Sequence, residues 1–324
     1  MSAAPPRPTA GGRAPEASGV RPPAQRPTLA ACTIAKDEAR DLPRWLGAML
    51  RFCDEAVVVV DASTTDGTRG VLREAEAAHP GRVRWAERAM TDAEGFSGLR
   101  NACIGLATAD WLLHTDADER PTPELARSAR EAIDGASGGG ALNAFRYRRL
   151  NHFLHRPMDA GGWQGWNRPQ LARRGAHRFT RRIHEAVVVE GGEAATGQLR
   201  GRMWHLADAD YAERVGKNAH YMQKTATDIL ARGLRVRWYH LLGHPLWRGL
   251  RAYALKGAWR EGTRGLLFAL YTAASTFNWW ATAWDRQNRV GRDALEAELD
   301  ALWAASGPSP EAASEAPPEA APRR

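Results

Sequence analysis

Three observations predict an α/β fold with a mostly parallel sheet flanked by helices. Short apolar runs at residues 29–34, 56–60 and 111–114 are each long enough for one strand. Segments of helical period separate them with short connections, the pattern of strands that run parallel with helices on both faces. Each run is followed by an acidic residue, Asp37, Asp61 or Asp116. In such sheets ligands bind beyond the carboxyl ends of the strands, so three carboxylates on one rim predict a site.

The elements follow in order. Leu29–Ile34 runs into the polar turn Ala35-Lys36-Asp37-Glu38, and Leu42, Trp45, Leu46, Met49 and Leu50 then recur at helical spacing. Ala56–Val60 is an uninterrupted apolar run, as expected of a strand buried on both faces. The turn-rich stretch from Asp61 to Thr68 can cap a helix reaching about Ala78. Val83–Ala86 predicts a third strand, Gly98–Thr108 a helix, and Trp111–His114 a strand ending at Asp116. A helix over about Thr122–Ile133, a turn at Gly135–Gly140 and a strand over Ala141–Leu150 come next. Residues 151–206 read as loop-rich, and the chain beyond Tyr211 as helical with a linker near Leu241–Pro245.

The two ends differ from this pattern. Residues 1–27 and 305–324 are built from Pro, Ala, Gly, Ser, Arg and Glu and hold too little apolar surface to offset chain entropy, so both are expected to be disordered tails. Residues 28–206 are then the α/β domain and 207–304 a helical extension. Cys32, Cys53 and Cys103 show no metal-type spacing and read as buried, reduced thiols. The net charge is +8, and Lys217–Arg264 carries ten Lys or Arg against Asp228 and Glu261, a surplus equal to the whole excess. A cationic surplus confined to one stretch predicts a surface for an anionic partner.

The turn Asp116-Ala117-Asp118-Glu119 has two readings on its residues alone. Its carboxylates either cap a helix beginning near Pro121, or share a hard divalent cation, Mn²⁺ or Mg²⁺, of the kind that bridges to a diphosphate.

The order of several motifs resembles the family 2 glycosyltransferases and their GT-A fold, in particular the bacterial branch with lipopolysaccharide-core β-glucosyltransferases. Ala35-Lys36-Asp37-Glu38 is similar to the family's Lys-Asn-Glu-Glu, and Val59–Thr68 to its Val-Asp-Ser-Gly-Ser-Thr-Asp-Gly-Thr. Leu99-Arg100-Asn101 stands at its Lys-Arg-Asn, and Trp111–Glu119 at its strand with Asp-Ala-Asp-Glu. Ile183-His184-Glu185 and Trp204-His205 match two later signatures, and Lys256–Leu267 a glycine-rich one. Gln170-Leu171-Ala172 departs from the family's Arg-Leu-Phe, at what is expected to be an acceptor-side loop.

The resemblance implies a GT-A (Rossmann-like) mixed, mostly parallel sheet with a C-terminal helical extension. It implies an inverting, metal-dependent hexosyl transfer from a nucleoside diphosphate sugar, by default a uridine one, to a glycan or lipid-linked acceptor. Thr33, Ala35, Glu38, Asp61, Arg100, Asn101 and Asp116 are then expected at the donor. Asp118 is the expected direct metal ligand, with Asp116 and His205 beside it. Inversion needs a base at the acceptor hydroxyl; Glu185 is the first candidate and Asp159 the second. For Glu185 the competing reading is an ion pair with Arg181 or Arg182, and for His205 a packed imidazole beside Trp204.

The extension interleaves Arg with Trp238, Tyr239, Trp247, Tyr253 and Trp259, then runs from Gly265 to Trp284 without a charge. Polar Thr, Ser and Asn dilute that run, which reads as a helix or helical hairpin lying on an anionic membrane face. Packing within the protein is the other reading. The expected location is cytoplasmic, peripheral at the inner membrane face. Two rivals use the same features: a nucleic-acid-binding protein with residues 217–264 as its surface, and an inactive scaffold of the same fold. No nucleic-acid module is legible, so nucleic acid is not expected as a partner, and the paired aspartates speak against loss of activity.

Overall fold

A computed structural model of the chain describes residues 26–137, 142–181 and 185–306. The expected tails, the Gly-rich end of the 135–140 turn and the Ile183-His184 pair lie wholly or mostly outside the described residues. In chain order the elements are β1 (Leu29–Ala35), α1 (Leu42–Met49), β2 (Glu55–Asp61), α2 (Thr68–Ala78), β3 (Val83–Arg88), α3 (Gly95–Leu106), β4 (Trp111–His114), β5 (Glu119–Pro121), α4 (Pro123–Ser137) and β6 (Ala144–Phe153). They continue with β7 (Arg156–Pro157), β8 (Asn167–Arg173), β9 (His177–Thr180), β10 (Ala186–Val189), β11 (Thr196–His205), α5 (Tyr211–Ala231), α6 (Trp238–Leu250), α7 (Thr263–Asn288) and α8 (Arg292–Ser306). The chain forms two compact units, Met1–Arg149 with Asn167–Trp204, and Leu150–Trp166 with His205–Arg324.

In the first unit the sheet runs β3-β2-β1-β4-β8-β6-β11-β5. β1 pairs in parallel with β2 and β4, and β2 with β3, whereas β8 is antiparallel to both β4 and β6. The sheet is therefore mixed, with its parallel half at the amino-terminal end of the chain, in agreement with the expected fold class. β9 and β10 form a separate antiparallel pair.

Burial explains why the short apolar runs suffice. Every residue of β1 but Ile34 and every residue of β2 is buried, so both strands are covered on both faces. On one face α3 packs Leu99 and Cys103, with Ala107 just past its end, against Ala30, Cys32, Val57, Val59 and Leu112. α1 contributes Leu42, Trp45, Leu46 and Met49, all buried at helical spacing, and Trp45 Nε1 donates to Thr115 Oγ1 at 2.8 Å. Each fully buried side chain of this size is worth about 1.5–3 kcal/mol. The three cysteines are free and buried, and burial pushes the Cys103 thiol up to about 12.

The loop-rich expectation for residues 151–206 is corrected: the segment supplies β8 and β11 to the main sheet. These strands mix Arg, Gln and Gly with few consecutive apolar residues, so no period marks them. Gln170 accordingly lies within β8 and is buried, not in a loop.

The second unit is helical. α6 and α5 both pack on α7, with Trp280 and Ala283 meeting Ala226, Ile229 and Val236. Phe153 and Met158 join Ala252, Ala258, Phe268 and Ala269 in a second cluster. A π turn (Arg251–Leu255) and a 3-10 turn (Ala258–Glu261) connect α6 to α7. Gly265 accounts for part of the glycine-rich signature: a Cβ there would fall 1.7 Å from the Ala258 carbonyl oxygen, so only glycine admits this approach. The linker expected near Leu241–Pro245 is instead inside α6, with Pro245 buried; one lost amide hydrogen bond is offset by packing. Among the described residues no helix is long and apolar enough to cross a membrane.

Candidate active site

The turn after β4 is organised from beneath by Glu119, which is 0% exposed. Its Oε2 accepts the Asp116 amide at 2.9 Å and the Tyr147 hydroxyl at 3.1 Å, and its Oε1 meets Arg149 Nε at 2.5 Å. The Tyr147 hydroxyl lies 3.0 Å from the His114 carbonyl oxygen as well, which ties β6 to the end of β4. Burial raises the Tyr147 phenol, and the neighbouring Glu119 charge raises it further, so it stays a neutral donor. The cap reading of the aspartates fails here. β5 separates them from α4, and the helix takes its cap from Thr122, whose Oγ1 accepts the Leu125 amide at 3.2 Å.

Two arginines grip Asp116. Arg100 Nη2 meets Oδ1 at 2.6 Å and Arg149 Nη2 meets Oδ2 at 2.7 Å. Burial alone would lower both guanidinium pKa values; the carboxylates of Asp116, with Glu185 for Arg100 and Glu119 for Arg149, outweigh it and raise them. Arg100 also reaches Glu185 Oε1 at 3.5 Å from its Nε and lies 5.5 Å from the centre of the Phe179 ring. The partner of Glu185 among the described residues is thus Arg100, from α3, and one guanidinium joins the base candidate to the Asp116 turn.

His205 is the last residue of β11. Asp116 and Asp118, both in the first unit, each bring a carboxylate oxygen within 4.8 Å of the other's. Two carboxylates at that separation suit a small divalent cation such as Mn²⁺ or Mg²⁺. In the second unit His205 Nδ1 lies 2.8 Å from Asn151 Oδ1, a partner that orients the ring.

The other expected donor residues have definite places. Asp61 ends β2, is buried, and its Oδ1 accepts the amide and hydroxyl of Ser63, both at 2.9 Å. Thr33 and Ala35 are buried in β1, and the Glu38 amide donates to Thr68 Oγ1 at 2.8 Å. Asn101 is used twice, its Nδ2 donating to the Phe179 carbonyl at 3.0 Å and its Oδ1 accepting the Phe179 amide at 2.9 Å, so it pins β9 to α3.

Asp37 leaves the expected acidic rim. Its Oδ1 accepts the amides of Thr65 and Asp66 at 2.7 and 3.2 Å, while Asp66 accepts the Ala39 amide at 3.0 Å. The two loops after β1 and β2 lock each other, and the Thr65 amide holds the Asp37 carboxyl below its usual range. Asp159, the second base candidate, belongs to the helical unit, where its amide donates to Glu261 Oε1 at 3.1 Å.

Arg149 is the residue that sequence reasoning missed. The available signal was alternation: Phe145, Tyr147 and Arg149 share one face of β6, and a cation on an otherwise buried face requires an acid opposite.

Residues 31–187 match the model of glycosyl transferase family 2. The chain carries a family 2 glycosyltransferase domain. It is similar to the lipopolysaccharide core biosynthesis glycosyltransferase LpsC of Rhizobium meliloti, 27% identical over 255 residues that cover 77% of this chain and 89% of that protein. An uncharacterized glycosyltransferase of Rickettsia prowazekii is 22% identical over 254 residues, covering 75% of this chain and 82% of the other. Among solved structures, a mannosyltransferase of Pyrobaculum calidifontis in complex with GDP-Man and Mn²⁺ aligns with 18% identity and a TM-score of 0.42, over 86% of this chain and 81% of that one. The domain is that of a transferase, in a family whose curated relative acts in lipopolysaccharide core synthesis.

Proposed function

We propose that the chain transfers a hexose, with inversion, from a nucleoside diphosphate sugar to a hydroxyl of a glycan or lipid-linked acceptor of the cell envelope. The observation that carries this reading is the Asp116-Ala117-Asp118 turn beyond β4, whose carboxylates come within 4.8 Å of one another. That turn would hold Mn²⁺ or Mg²⁺, and a cation there supplies neutralisation of the diphosphate charge. Both Asp116 oxygens are engaged by arginines, so Asp116 acts by orienting Arg100 and Arg149 toward an anion, and Asp118 is the direct ligand. Asp61, closing a strand beside β1, suits a ribose or base contact. Glu185 takes the acceptor proton in this scheme, with Arg100 fixing its position.

The inner face of an anionic membrane is the proposed location. α6 supports it with Trp238 exposed to 72%, Leu246 to 68% and Trp247 to 54%, with Arg237 just before its first residue. Aromatic and cationic side chains together suit a headgroup layer.

A thermal-shift screen of nucleoside diphosphate sugars with and without Mn²⁺ tests the donor half. A bound donor raises the melting temperature by mass action. One nucleotide series should stabilise the chain, more so with metal. A screen in which none does so at millimolar concentration overturns the proposal.

A further inference from the structure

We propose that the helical second unit contains its own binding site for a phosphorylated sugar. A cavity of 360 Å³ lies wholly within that unit, between α5, α7, the end of α6 and the loop at Gly161–Trp163. Its size falls in the range of small-molecule sites, roughly 300–1,000 Å³.

The lining is of two kinds. Trp163, Tyr271 and Trp279 offer ring surface, which suits the C–H face of a pyranose. Arg248 and Arg251, one turn apart, supply charge, and among the described residues neither has an ion-pair partner. Arg214, also at the cavity, is different in kind. It is paired with Asp208 and stacked on Phe153, Trp163 and Tyr271 at 4.6–5.0 Å, so it holds the wall together. Arg248 lies 5.0 Å from the Trp279 ring centre, and burial, with Arg251 beside it, lowers its pKa. Two adjacent guanidinium groups without a counter-charge are a repulsion that a bound anion removes.

Two buried polar groups face the same space. Ser275 is 4% exposed, and its Oγ has no hydrogen-bond partner among the described residues. A hydroxyl closed off in this way costs free energy unless a ligand reaches it. Asn218, 6% exposed, also lines the cavity; its Oδ1 accepts Trp279 Nε1 at 3.2 Å, so its amide is the donor it can offer a ligand. Two forked cations with hydroxyl and amide donors match a phosphomonoester dianion, and the rings match the sugar that bears it.

If the chain transfers sugars as proposed above, this ligand is the phosphate-bearing part of its acceptor; that assignment rests on that reading, whereas the binding does not. The test is calorimetry on the full chain with glucose 6-phosphate, glucose and inorganic phosphate. Uridine diphosphate binding, measured on the same sample, reports separately on the first unit. Glucose 6-phosphate should bind saturably, at least about tenfold more tightly than either glucose or phosphate, and uridine diphosphate should not displace it. Arg251→Gln and Ser275→Leu should each weaken it by about tenfold or more while uridine diphosphate binding is retained. Equal binding of inorganic phosphate, displacement by uridine diphosphate, indifference to both substitutions, or no binding overturns the proposal. So does retention on phosphatidic acid vesicles, lost in Arg251→Gln, without binding of the sugar phosphate.

Discussion

Arg149→Met removes the cation that faces Glu119 while keeping most of the side chain's volume. Glu119 is 0% exposed, and its Oε1 has Arg149 Nε at 2.5 Å, while its Oε2 keeps its contacts to the Asp116 amide and Tyr147 hydroxyl. Breaking a buried pair by deleting one partner costs about 3–5 kcal/mol, because the remaining charge stays desolvated. The Arg149 side chain is 14% exposed, so water can reach part of the gap and the lower end applies. For a unit of this size each kcal/mol moves the melting temperature by about 2–4 °C, so the transition of the first unit should fall by about 6–12 °C. Calorimetry of the full chain measures it. The double variant Glu119→Gln with Arg149→Met should recover part of the loss, since a neutral amide tolerates the site better than an unpaired carboxylate. A single variant that melts within about 2 °C of the parent, or a double variant with no coupling, refutes the buried-pair reasoning.

Glu185→Gln should lower sugar transfer on the order of a hundredfold, the scale of a lost general base, while nucleotide binding by calorimetry is unchanged; a loss confined to nucleotide affinity would reassign Glu185 to the donor. The His114–His177 contact predicts acid sensitivity. Their Nε2 atoms lie 2.8 Å apart, and burial lowers both imidazoles, with His177 and Arg100 adding to the effect on His114. The folded chain keeps them neutral while the unfolded chain binds protons below about pH 6.5. Stability is therefore full above that pH and falls below it by up to about 1.4 kcal/mol per pH unit for each ring. Urea midpoints from pH 8 to pH 5 should fall more steeply for the parent than for His114→Gln, and equal slopes would contradict this.

Much of the first unit was legible because its strands are buried on both faces. β1, β2 and β4 are apolar runs that end at the turns carrying Asp61 and Asp116, and α1 and α3 repeat at helical period. The limits are physical. β8 and β11 carry polar residues, and their places depend on partners far along the chain. Pro245 reads as a break, yet packing keeps α6 continuous through it. Asp37 sits at a strand end, as a ligand-facing acid would, and only its bonds to Thr65 and Asp66 show that it ties two loops. Arg149 and Glu119 are thirty positions apart, and no local pattern announces a buried pair formed across a sheet.

The central claim is that the Asp116–Asp118 turn receives a cation together with a nucleoside diphosphate. Manganese titration followed by the ion's own paramagnetic resonance, with and without uridine diphosphate, tests it without needing an acceptor. The account predicts one bound Mn²⁺ per chain, held at least about tenfold more tightly when the nucleotide is present, and lost in Asp118→Ala with the fold intact. Binding that is unchanged in Asp118→Ala, or nucleotide affinity indifferent to Mn²⁺, would contradict it.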